Sequence, residues 1–302
     1  MSIMMREWLI SYEKSLDNKQ FSARTIIGKI QHLKIISRKI GDLKLKDVQP
    51  LHLKNIIDIY INADKPSPAK AMHSLLSDVF NEAIIAGLIN NNPIWPLKYP
   101  TQRVKRARLM FNEFMQMYNY AKENLQNYLS SALMLALVTA QRPGDLLELG
   151  YDKKDFFVQN DHLFIHQMKG RKYVTTIYGE KKLIRHGAKI ALPLNLTLNE
   201  VNMSIEDAIL NCGGNENFIE LNGQPVQYWR LNQDFCRLRD TIFPAKYWED
   251  YNPPSFFEIR SLAERLYRKQ GVNTQVLLGH KYRSTTDLYN DLRGREWHHL
   301  II

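Results

Sequence analysis

Pro254-Ser-Phe-Phe-Glu-Ile-Arg260, Leu277-Leu-Gly279-His280 and Leu288-Tyr289-Asn290 set an arginine, a histidine and a tyrosine along one C-terminal stretch, with helix-like segments between them. A fixed cation, a hydrogen-bonding imidazole and a phenol are the groups required when a tyrosine attacks a phosphodiester. Such chemistry requires the upstream chain to hold DNA.

Composition is compatible with that requirement. At 302 residues the chain has room for two domains, each with its own core. The 41 Lys+Arg against 31 Asp+Glu give a formal charge of +10, which favours a polyanionic partner. Cys212 and Cys236 form no Cys-x-x-Cys pair, so neither a zinc site nor a disulfide framework is implied, and a reducing cytoplasm fits. No apolar run reaches the roughly 18 residues of a membrane span, and Met1-Ser-Ile-Met-Met-Arg-Glu-Trp8 lacks the apolar core of a signal peptide. The expected location is the cytoplasm or nucleoid, where the DNA is.

In chain order, Trp8, Leu9, Tyr12 and Leu16 fall at helical spacing. Ser22 is placed to cap a second helix carrying Ile26, Ile30 and Leu33 and ending near Gly41. Asp47 is the expected start of a third, with Leu53, Ile56, Ile57 and Tyr60 on one side. Ser67-Pro68 reads as the cap and first residue of a fourth, in which Met72, Leu75, Leu76, Val79, Phe80, Ala83 and Ile84 recur until Gly87. These helices predict a helical DNA-binding domain over 1–92. Asn90-Asn-Asn-Pro93-Ile-Trp-Pro96 then breaks the pattern. Lys98, Arg103, Lys105, Arg106 and Arg108 follow with no acid between them, so 93–109 reads as a basic interdomain linker expected to touch the DNA backbone.

The second domain, 110–302, opens at Asn112-Glu-Phe. It continues through a helix bearing Leu125, Tyr128, Leu129, Ala132, Leu133, Ala136 and Leu137, which delivers Arg142 at its last turn before Pro143-Gly144 ends it. His162–His166, Tyr173–Tyr178 and Ala188–Pro193, separated by Gly170, Gly179 and Gly187, predict a small antiparallel sheet in an otherwise mainly α chain. Helical signals return at Ser204–Leu210 and from Val226 to Asp240, where Trp229 and Phe235 are expected to pack and Arg230, Arg237 and Arg239 to face DNA. No nucleotide-binding loop or metal-ligand cluster is legible, which agrees with a reaction that needs no cofactor.

Four blocks resemble the tyrosine recombinases, in particular the lambda-type phage integrase branch. They are Val138-Thr-Ala-Gln-Arg-Pro-Gly-Asp-Leu-Leu-Glu-Leu149, Glu258-Ile-Arg-Ser-Leu-Ala-Glu-Arg-Leu-Tyr-Arg-Lys-Gln270, Leu277-Leu-Gly-His-Lys281 and Asp291-Leu-Arg-Gly-Arg-Glu-Trp297. The resemblance implies a core-binding domain and an α+β catalytic domain closing as a C-shaped clamp on duplex attachment or core sites. It implies cleavage and rejoining through a 3′-phosphotyrosine, a homotetramer on two DNA sites, and accessory bending or directionality proteins for integration or excision of a mobile element. By position it makes Tyr289 the nucleophile, Arg142 and Arg260 the phosphate-gripping cations and His280 a hydrogen-bond donor to the phosphate. It also puts a leaving-group lysine on a sheet turn, best matched by Lys169 in Gln167-Met-Lys169-Gly, with Lys172 second because this loop is longer than usual.

One position departs from the pattern. Where the family has His-x-x-Arg, this chain has Phe257-Glu-Ile-Arg260, and a phenyl ring neither accepts a proton nor hydrogen-bonds a phosphate. The alternative reading is a recombinase-derived DNA-binding protein with impaired cleavage. The arm-binding domain that precedes the core-binding helices in lambda-type relatives is expected to be absent or to have been removed here, because the first helix begins almost at Met1. Beyond Tyr289, the apolar Trp297, Leu300, Ile301 and Ile302 read as a tail that docks on a neighbouring subunit.

Overall fold

The computed structural model describes residues 3–16, 19, 21–101, 106–175, 181–248 and 251–291. The chain divides into two compact units, Met1–Arg103 and Val104–Ile302.

The first unit is helical. Helices α1 (Met5–Ser15), α2 (Ala23–Ile40), α3 (Pro50–Asn62) and α4 (Pro66–Ile85) bury Trp8, Leu9, Tyr12, Leu33, Ile36, Leu53 and Ile56 against the α4 stripe of Met72, Leu75, Leu76, Val79 and Phe80. The Trp8 indole N–H donates to the Val79 carbonyl at 3.1 Å, which fixes α1 on α4. Ser22 caps α2 as expected, accepting from the Thr25 amide. The next two starts differ from the reading above. Asp47 lies in a short 3₁₀ turn, and α3 begins at Pro50, whose fixed φ suits a first helical position. Pro66 likewise opens α4, so Ser67 lies inside the first turn instead of capping it. Gly87, at φ +69°, follows the α4 C-cap in the left-handed region.

The 93–109 stretch is anchored at both ends. Ile94 is 1% exposed in the first unit's core, while Ala107 and Leu109 are buried in the second unit's. Arg103 and Lys105 lie outside the described residues.

In the second unit the expected long helix is two, α5 (Phe111–Asn124) and α6 (Asn127–Thr139), with Leu125 between them and 41% exposed. Helix α6 is apolar on nearly every side and forms the central rod of the core. It ends at Ala140, whose φ of +54° is left-handed. Pro143 therefore starts a helix, α7 (Pro143–Glu148), and Arg142 occupies its N-cap position instead of the last turn of α6.

Strands β1 (Asp152–Lys153), β2 (Phe156–Gln159), β3 (His162–His166) and, later in the chain, β6 (Lys189–Pro193) form a sheet of order β1-β2-β3-β6, with every pairing antiparallel. The run from Tyr173 does not join it. Strands β4 (Lys172–Thr175) and β5 (Lys181–Arg185) pair only with each other as a separate hairpin. A Cβ on Gly170, at φ +97°, would lie 3.7 Å from the Gly187 Cα, so the glycines bring the ends of this hairpin together beside Lys169.

Helices α8 (Ile205–Leu210) and α9 (Tyr228–Ile242) continue the shell. Phe235 is fully buried as expected, whereas Trp229 is 63% exposed because it falls on the outer face of α9. Arg239, expected at DNA, is buried with Nη1 donating to the Pro254 carbonyl at 2.7 Å. Helix α10 (Glu258–Lys269) packs on α6, where the Tyr267 hydroxyl donates to the Val138 carbonyl at 2.8 Å. Helices α11 (Thr274–Leu277) and α12 (Arg283–Asn290) complete the described chain.

Candidate active site

Arg260 sits in the first turn of α10 and is 1% exposed. Its Nη1 donates to the Ala140 carbonyl and its Nη2 to the Leu278 carbonyl at 2.6 Å. The left-handed turn at Ala140, costing about 1–2 kcal/mol for a residue with a Cβ, thus follows α6 and presents a carbonyl to the guanidinium. The Nε of Arg260 is buried without a hydrogen-bond partner. Burial and the neighbouring Arg142 lower the Arg260 pKa to about 10, which leaves it charged at neutral pH.

Arg142 reaches the same place from the N-cap of α7. Its Nη1 donates to Gln167 Oε1 at 2.8 Å and lies 3.8 Å from Asp145 Oδ2. Its Nε is also buried and unpartnered. Gln167 is a junction: its Nε2 donates to Gln141 Oε1 at 2.9 Å and to the Leu278 carbonyl at 3.2 Å, while its Oε1 accepts from Arg142. Asp145 fixes the start of the lysine turn by accepting from the Met168 amide at 2.7 Å.

Lys169 follows on that turn. Desolvation, then the charges of Arg142 and Arg260, hold its pKa below the usual lysine value. The side chain of Lys172 lies outside the described residues.

His280 follows Gly279, whose φ is +61° and whose Cβ would come within 2.9 Å of the Ala188 side chain and 3.0 Å of Gln167 Oε1. Only glycine fits that turn without displacing the Gln167 junction. The His280 Nδ1 lies 2.9 Å from the Thr286 hydroxyl. Burial, then Arg260, Arg142 and Lys169, push its pKa down to about 4, so it is neutral at physiological pH.

Tyr289, on the last turn of α12, lies near enough to the Arg260 guanidinium to interact with it electrostatically, and its ring lies 5.2 Å from the His280 ring. Phe257 lies against the same tyrosine, with ring centroids 6.1 Å apart, and is 37% exposed. The structure therefore brings Arg142, Lys169, Arg260, His280, Tyr289 and Phe257 to one site.

The basic stretch behaves differently. Lys98 and Arg106 are exposed, and Arg106 Nη1 donates to the Ser255 hydroxyl at 2.7 Å. Arg108, expected at phosphate, is instead 4% exposed and paired with Glu258 at 2.9 Å inside the second unit, so it is withdrawn from the set of DNA contacts. Gln167, Thr286 and Asp145 orient the charged groups, yet for Gln167 and Thr286 sequence offered no signal beyond their adjacency to the motifs.

A lysine, paired arginines, a histidine and a tyrosine gathered at one site, on an α-helical unit with a small sheet, are the combination expected of the tyrosine-type site-specific DNA recombinases. The family models agree: residues 107–296 match the phage integrase family and residues 3–99 the phage integrase central domain. The integrase of Escherichia phage HK022 is 33% identical over 98% of this chain and 78% of its own length, and that of Escherichia phage lambda 31% over the same shares. A lambda integrase dimer bound to a COC′ core site superposes with a TM-score of 0.82 at 31% identity, covering 100% of this chain and 81% of that one. A lambda integrase tetramer bound to a Holliday junction superposes with the same score at 30% identity, covering 99% and 81%. The chain belongs to the phage integrase family.

Proposed function

We propose that the chain breaks and rejoins DNA at specific core sites through Tyr289, and that it does so to integrate or excise a mobile element. The observation that carries this is the tyrosine beside a buried arginine whose Nε, like that of Arg142, has no hydrogen-bond partner among the described residues. Buried guanidinium N–H groups without acceptors are costly, and a phosphodiester supplies planar pairs of oxygens that match them.

In the proposed step Tyr289 Oη attacks the scissile phosphorus in line and the 5′-oxygen departs, leaving a 3′-phosphotyrosine. Arg142 and Arg260 neutralise the non-bridging oxygens. With Nδ1 accepting from Thr286, the neutral His280 carries its proton on Nε2 and donates it as a hydrogen bond to the same phosphate. Lys169, made more acidic by its cationic neighbours, gives a proton to the leaving oxygen. The phenolic proton passes to water, since Phe257 offers no base. Reversal with a new 5′-hydroxyl reseals the strand, so the bond energy is conserved. Lys98 and Arg106 contact DNA backbone, and four protomers closing around two duplexes, with accessory bending proteins, complete the exchange. Soluble action at the nucleoid fits a chain in which no described helix is long and apolar enough to cross a membrane.

The test is incubation with a nicked suicide duplex bearing the cognate core site, read on a denaturing gel. A covalent protein–DNA adduct that disappears in Tyr289→Phe is expected. Tight binding with no adduct, even at long times, would overturn the catalytic reading in favour of site binding alone.

A further inference from the structure

Helix α12 carries the proposed nucleophile but is eight residues long and mostly solvent-exposed, with Thr286 its buried residue. So short a helix has little stability of its own, and its last carbonyls have no partners within the helix. Something outside it must hold Tyr289 within reach of Arg260.

Arg108 does this from the far end of the sequence. Its Nε donates to the Asp291 carbonyl at 2.7 Å and its Nη2 to the Leu288 carbonyl, bracketing Tyr289 on both sides. Its Nη1 is tied to α10 through Glu258 at 2.9 Å and through the Ser261 hydroxyl. Glu258 and Ser261 flank Arg260 on α10, so one planar guanidinium links the frame of the phosphate-binding arginine to the backbone of the nucleophile. The cation also lies at the negative end of α12, where it is favoured. A direct side-chain link between these helices, Arg268 Nη2 to Asp287 Oδ1 at 2.9 Å, is more exposed and so is a weaker restraint.

We propose that Arg108 is a positioning residue: its guanidinium tethers the C-terminal end of α12 to α10 and thereby sets Tyr289 against the Arg260-bound phosphate, without touching the DNA itself. The proposal rests on Tyr289 as nucleophile. A displacement of about 1 Å at a reacting atom can lower a rate by about 100-fold, so the tether acts on cleavage and not on DNA affinity.

The experiment compares three full-length chains: the parent, Arg108→Lys, and the double variant Arg108→Met with Glu258→Gln, which avoids leaving a buried carboxylate unpaired. Lysine can keep the ion pair with Glu258 but cannot span the Leu288 and Asp291 carbonyls together. Binding to a core-site duplex, single-turnover adduct formation at saturating DNA, and amide hydrogen exchange along the chain are measured for each. The expected result is unchanged binding, adduct formation slowed by about 100-fold in both variants, and faster exchange confined to residues 286–291. Adduct formation within about threefold of the parent together with unaltered exchange in α12 would overturn the proposal. So would exchange rising throughout α6 and α10, which marks a general structural role. A parent that makes no Tyr289-dependent adduct would refute the nucleophile assignment, and the exchange data would then decide the tether by itself.

Discussion

Replacing Phe257 by histidine should accelerate cleavage. Phe257 stands at the N-cap position of α10 with ordinary αR dihedrals (φ −60°, ψ −24°), is 37% exposed, and lies tilted against the Tyr289 ring at 6.1 Å. An imidazole is smaller than a phenyl ring and keeps the same rotamer options, so the fold should tolerate the change at a cost of about 1 kcal/mol or less. The gain has two sources. A hydrogen bond to a charged phosphate oxygen contributes about 1.5–3 kcal/mol when it forms, and a positioned acid–base group contributes about 100- to 10,000-fold. Because the position is more than a third open to water, the lower ends apply, and about 10- to 100-fold in adduct formation is expected. Single-turnover cleavage of the nicked duplex at saturating protein measures it, with binding and thermal unfolding as controls. An unchanged or slower rate at unchanged affinity would show that the ring at 257 does not face the reacting phosphate, and the account of the site given above would fail at that point.

Gly279→Ala should reduce cleavage more than stability. The φ of +61° and the approach to Ala188 and Gln167 oppose a Cβ, so an unfolding free energy lower by about 1–3 kcal/mol and at least a tenfold slower adduct formation are expected, measured by denaturant titration and the suicide assay; a full-rate variant would refute the role of the Gln167 junction. His280 should titrate near pH 4 in the free protein and higher once a phosphate-mimicking anion neutralises the arginines, which NMR of the imidazole can follow; a midpoint near 6.5 without anion would contradict the cationic environment. Because the folded pKa lies below the unfolded value of about 6.5, the unfolded chain binds the extra proton, and stability should fall as pH drops from about 6.5 toward 4. Replacing His280 by Gln should flatten that part of the stability profile.

Much of the fold was readable because burial is periodic. The α4 stripe and the all-apolar α6 follow directly from apolar spacing, and the order Arg142, Lys169, Arg260, His280, Tyr289 from local motifs. What escaped reading depends on contacts distant in sequence. Leu125 continues an apolar register yet lies in the break between α5 and α6, since both helices bury faces in the same core and periodicity carries across the gap. Pro143 was read as a stop, but proline stops one helix and starts the next with equal ease. Arg108 shares a basic run with Arg106, and only the fold distinguishes the exposed side chain from the one inserted between α10 and α12. Gln167 and Thr286 are ordinary residues whose roles arise from partners more than a motif away.

The charge arrangement of the site explains why a missing histidine need not silence it. Arg142, Arg260 and Lys169 are gathered near Asp145, and burial, then their mutual repulsion, lowers the pKa values of Arg260, Lys169 and His280. Like charges held together in a site repel one another, the more so the less water screens them. Main-chain carbonyls of Ala140 and Leu278 and the Gln167 junction hold the cations in place against that repulsion. A phosphodiester relieves it, and the doubly charged pentavalent transition state relieves it further, which is the differential stabilisation that accelerates the reaction. Phe257 removes a proton-transfer or hydrogen-bonding group but leaves this cationic frame intact. Cleavage by this chain should therefore depend far more steeply on Arg142 and Arg260 than on what stands at 257, and a variant lacking either arginine should not be rescued by Phe257→His.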